Sequence, residues 1–110
     1  MKIMTTKNQL AEAPESWLRR AGYVYLPARE DGPASFARRL TRDFYPRFHL
    51  YLEIEKTNES GQEKIIFNLH LDQKRPGYQG FNRHNAEYDG PVVEAEGARL
   101  QSLFRPDFLS

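Results

Sequence analysis

From Arg47 to Lys56 the chain alternates with a period of two. Phe48, Leu50, Leu52 and Ile54 fall on one side, and His49, Tyr51, Glu53 and Glu55 on the other. Lys64 to Asp72 repeats the pattern, with Ile65, Phe67, Leu69 and Leu71 opposed to Ile66, Asn68, His70 and Asp72. Such alternation marks strands with one buried face. The polar segment between them, TNESGQ, holds Gly61, which can take a positive φ in a turn. The pattern predicts a long β-hairpin over about 47–57 and 63–72.

The flanking segments predict helices. Pro14 suits a first helical turn and Gly22 a helix end, giving a short helix near 14–21 with Trp17, Leu18 and Ala21 inward. Tyr23 to Leu26 reads as a short third strand stopped by Pro27. Pro33 can open a second short helix near 33–42, where Phe36 and Leu40 stand at i and i+4. A last helix is expected over about 91–104. Asp89 or Gly90 would cap it, with Pro91 in its first turn and Glu94 near its positive end. Its buried stripe would be Val93, Gly97, Leu100 and Phe104, with Gly97 permitting close backbone approach. Residues 1–13 show no clear apolar period and read as a flexible N-terminal tail. Residues 14–110 then form a single globular α+β domain: a small antiparallel sheet built on the hairpin, with helices on one face.

Composition narrows the class. A chain of 110 residues suits one domain with a modest core. Seven Phe, six Tyr and one Trp give that core bulk and argue against disorder throughout. The absence of cysteine removes disulfides, zinc–thiolate sites and cysteine nucleophiles together. No apolar run approaches the ~20 residues of a membrane helix, and the first residues lack the apolar centre of a signal peptide. A soluble, cytoplasmic protein with no membrane partner is the expectation.

Net charge is only +1, but its distribution is uneven. Seven arginines (19, 20, 29, 38, 39, 42 and 47) crowd the stretch from Trp17 to His49 against Glu30, Asp31 and Asp43. The guanidinium fork suits phosphate and carboxylate recognition.

The densest chemistry lies from Phe67 to Gly90. A hairpin turning near Glu59 and Ser60 places His49 opposite His70, Tyr51 opposite Asn68, and Arg47 opposite Asp72. Opposed side chains have Cβ atoms about 4.5–5.5 Å apart, within reach of one metal ion. The loop over 73–90 can add His84 and Glu87, so His49, His70, His84 and Glu87 form a candidate metal set. Zinc or manganese is the expected divalent ion, and Asp72 would orient an imidazole from behind. No spacing matches an established metal motif.

Arg47, Lys74, Arg75 and Arg83 support a different use, anion binding, with Gly77, Gly80 and Gly90 letting backbone amides approach. Tyr78 and Tyr88 could stack on bases; the ordinary alternative is that loop aromatics pack onto the core. Serines 16, 35, 60, 102 and 110 lie outside this loop and no GxSxG elbow occurs, so nucleophilic catalysis finds little support.

The segments YPRFHLY, FNLHLDQKRPGY and HNAEYDGPVVEAE resemble a family of small bacterial proteins of unassigned function. The resemblance runs over roughly the second half of the chain, through Pro46–His49, His70–Asp72, Lys74, Pro76, Tyr78, Gly80, His84, Glu87–Gly90, Glu94, Glu96 and Arg99. Asn85 departs from the small residue expected after the histidine. The resemblance implies a bacterial origin and adds no mechanism.

The residues together predict a small binding module for an anionic ligand, nucleic acid or a phosphate-bearing molecule, with the 73–90 loop over the polar hairpin face. The alternatives are a metal-dependent phosphoesterase or related hydrolase at a His/carboxylate site, and a protein-interaction domain with no small-molecule site.

Overall fold

The two alternating segments form the longest strands. In a computed structural model, which describes residues 1–30, 32–56, 63–73, 86–87 and 89–106 (86 and 87 by their backbone), β4 spans Arg47–Lys56 and β5 spans Glu63–Asp72. They pair antiparallel in the expected register, with Arg47 opposite Asp72, His49 opposite His70 and Tyr51 opposite Asn68. Phe48, Leu50, Phe67, Leu69 and Leu71 are buried on one face. That face carries the helices, and the architecture is α+β as the sequence predicts.

Two expectations are corrected. Residues 1–13 are not a loose tail. Lys2–Thr6 is strand β1, antiparallel to β5, with Lys2 opposite Asn68 and Thr6 opposite Lys64. Ile3 and Thr5 point into the core, and a short helix α1 (Lys7–Leu10) follows with Leu10 buried. The backbone of β5 needs a partner on its second edge, and β1 satisfies that need from far away in sequence.

The second correction concerns residues 33–42. Ser35–Arg39 is strand β3, not a helix, and pairs antiparallel with β4 through Phe36 opposite Leu50 and Arg39 opposite Arg47. Phe36 enters the core alone; Leu40, its supposed helical neighbour, lies beyond the strand and is largely exposed. Val24–Leu26, strand β2, pairs with β3 at the sheet edge. The sheet order is therefore β1-β5-β4-β3-β2, and a two-residue strand β6 (Ala86–Glu87) continues the β1 edge of β5.

Helix α2 (Pro14–Arg20) and helix α3 (Pro91–Ser102) cover the apolar face. Trp17 of α2 stacks on Phe67 with ring centroids 5.4 Å apart, and Phe104 completes a three-ring cluster, 5.3 Å from the indole and 6.5 Å from Phe67. Val93, Gly97 and Leu100 are the buried apolar positions of α3. Gly97 is where the helix meets β1: a Cβ there would lie 2.5 Å from Met1 Sδ. The backbone N–H of Arg105 donates to the Gln9 carbonyl and fastens the segment after α3 to α1. Among the described residues, no helix is long and apolar enough to cross a membrane.

Candidate functional site

The face of the sheet away from the helices carries the site. Successive strand residues point to opposite faces, so burying Phe48, Leu50, Leu69 and Leu71 forces Arg47, His49, His70 and Asp72 onto the other side. Ala37 lies opposite His49, so β3 presents Ser35 and Ala37 to the same face. Three adjacent strands thus contribute polar side chains to one patch.

Asp72 is its centre. His49 Nδ1 lies 3.1 Å from Asp72 Oδ2, and His70 Nε2 lies 3.0 Å from Oδ1. Arg47 Nε approaches Oδ2 at 3.4 Å, and its guanidinium sits 4.7 Å over the ring centroid of Tyr45. His49 Nε2 is 2.8 Å from Ser35 Oγ. The two imidazole centroids are 4.8 Å apart, and His70 stacks with Tyr51 at 5.9 Å. Burial alone would push the Asp72 carboxyl up, but hydrogen bonds from His49 and His70, with their charges, hold it well below the usual carboxylate range. Asp72 is thereby a carboxylate at neutral pH, with both oxygens facing imidazole nitrogens.

One potential ligand atom from each of His49, His70 and Asp72 lies within 4.8 Å of the other two. A tetrahedral ion at ~2.0–2.1 Å from its ligands holds them roughly 3.4 Å apart. The two nitrogen–carboxylate distances, 3.1 Å to Oδ2 and 3.0 Å to Oδ1, each lie within a few tenths of an ångström of that spacing but end on different oxygens of Asp72. Two histidines and one carboxylate on a common face form a donor set suited to zinc, iron or manganese.

The patch opens into a cleft of about 640 Å³, lined by Leu26, Pro27, Arg29, Gly32, Pro33, Tyr45 and Tyr51 together with the polar cluster. This volume falls in the ~300–1,000 Å³ range of small-ligand sites. The backbones of Arg29 and Gly32, both lining the cleft, exchange hydrogen bonds. Tyr51 and His70 also border a smaller cavity of about 350 Å³ toward Met1 and Lys2.

His49, His70 and Arg47 therefore converge. Asp72, expected behind the imidazoles, stands between them as a donor in its own right. His84, with Lys74, Arg75, Arg83, Tyr78 and Tyr88, lies outside the described residues. Glu87 is placed only by its backbone, opposite Leu71 in β6. Ser35, Tyr45, Tyr51 and Arg29 were not among the sequence candidates. The alternation of Ser35, Ala37 and Arg39 against Phe36 and Arg38 is the signal that places Ser35 on the polar face. Comparison of the chain with family models, curated proteins and solved structures finds no match.

Proposed function

We propose that the protein binds a divalent transition-metal ion through His49, His70 and Asp72 and offers it to a small anionic ligand in the adjoining cleft. The observation that carries this reading is the convergence of three ligand atoms within 4.8 Å around a carboxylate held in its charged form. Three protein donors leave a coordination position open, the arrangement that distinguishes catalytic from closed structural sites. A bound divalent ion would supply Lewis acidity toward a phosphoryl or carboxyl oxygen. Arg47, stacked on Tyr45, and Arg29, which also lines the cleft, supply positive charge for a phosphate-bearing ligand. A metal-dependent phosphoesterase is the enzymatic form of this reading; a metal-assisted binding module is the other.

Titration calorimetry of the full chain with zinc and with manganese at neutral pH tests it. One ion per chain is expected, with uptake abolished by His70→Ala and by Asp72→Asn, which keeps the side chain's shape and removes its charge. Full-strength uptake by both variants would exclude this centre. Inorganic phosphate should bind more tightly to the zinc-loaded chain than to the metal-free chain, and more weakly as salt rises.

A further inference from the structure

We infer that Ser35 is the positioning residue behind His49, its hydroxyl holding the ring through Nε2 while Nδ1 takes the metal. The inference rests on the metal-centre reading above and assigns a role to a side chain outside the donor set.

A neutral imidazole carries one N–H and one lone pair. In His49, Nδ1 faces Asp72 at 3.1 Å and Nε2 faces Ser35 Oγ at 2.8 Å. Asp72 stands on the Nδ1 side, so Nδ1 is the atom that coordinates beside it. It must then present its lone pair, and the ring proton must reside on Nε2. A serine hydroxyl can accept or donate through a single torsion. Ser35 Oγ is buried and already placed to accept the Nε2 proton.

Without a metal the same contact runs the other way: Nδ1–H donates to Asp72, and the hydroxyl donates to the bare Nε2. If Ser35 accepted while no cation was present, two lone pairs would face each other across 3.1 Å, which only a metal ion or a second proton relieves. Loading the ion thus moves the ring proton from Nδ1 to Nε2 and reverses the Ser35 hydroxyl. His70 differs, because its Nε2 is the atom 3.0 Å from Asp72. The centre is therefore mixed, with Nδ1 of His49 and Nε2 of His70.

Long-range ¹H–¹⁵N correlation spectra of the full, histidine-labelled chain, with and without zinc, test the assignment directly. The expected result is a protonated Nε2 and a zinc-shifted Nδ1 at His49, with the reverse at His70. Ser35→Ala should weaken zinc binding about 10–100-fold, the usual effect of losing a partner behind a ligand. Ser35→Thr, which keeps the hydroxyl, should recover most of that loss. Zinc on His49 Nε2 would overturn the inference, as would a Ser35→Ala chain that binds zinc as tightly as the parent. A parent chain that takes up no zinc would overturn the metal centre itself and this inference with it.

Discussion

Two carboxylates, one half-buried and one buried, organise the two faces of the sheet. Asp72 serves the open face; Glu96 of α3 serves the helical one. The Tyr23 hydroxyl donates to Glu96 Oε2 at 2.6 Å, Arg99 donates at 2.7 and 2.9 Å, and Arg38 approaches at 3.5 Å. Arg99 also reaches the Ala21 carbonyl at 2.8 Å, so one network joins α2, α3 and β3. Burial pushes the Tyr23 hydroxyl far above its ordinary value of 10.0, and the bond to Glu96 pushes it further. A pKa raised on folding stabilises the fold fully below the unfolded value and is lost as pH rises through the folded one. Urea midpoints should therefore hold steady below pH ~10 and fall above it, and Tyr23→Phe should flatten that decline. Glu96→Ala removes the shared acceptor and should cost about 2–4 kcal/mol in the same assay, because it leaves a buried hydroxyl and two half-buried arginines without it.

At the level of elements, legibility followed locality. The hairpin declared itself because each of its strands has one wet face, so the period of two is written into ten consecutive residues. Helix α3 was readable from Gly90 and Pro91 at its start. Strand β3 was hidden because Arg38 lies on the core-facing side, answered by Glu96 more than fifty residues later. Without that distant partner, Phe36 and Leu40 read as a helical pair. Strand β1 was hidden for a similar reason: Ile3 is its one large aliphatic core residue, and its stability comes from backbone pairing with β5. Ser35 went unnoticed as a site residue because it lies on the strand mistaken for a helix. Helix α2, by contrast, is anchored by two adjacent buried residues, Trp17 and Leu18. Trp17→Ala should lower stability by about 3–5 kcal/mol by denaturant titration, since it removes the indole that packs on both Phe67 and Phe104 and leaves a cavity.

For the whole molecule, the sheet was legible in kind and not in extent. The alternation in β4 and β5 and the short apolar run of β2 are written in the sequence. The full order depends on pairings that no local pattern encodes, above all β1 with β5, which closes across more than sixty residues. Set against that long closure, the three proposed metal donors all stand on the β4–β5 hairpin, and only Ser35 comes from elsewhere. Short loops close at less entropic cost than long ones, so the hairpin can gather His49, His70 and Asp72 before the N-terminal strand arrives. This has a kinetic consequence. An ion held by the hairpin would already be held in the folding transition state, so it would speed folding as well as slow unfolding. Stopped-flow refolding of the full chain should accelerate with zinc in the parent and not in Asp72→Asn, while Ser35→Ala, whose contact forms only once β3 docks, should act mainly on the rate of unfolding.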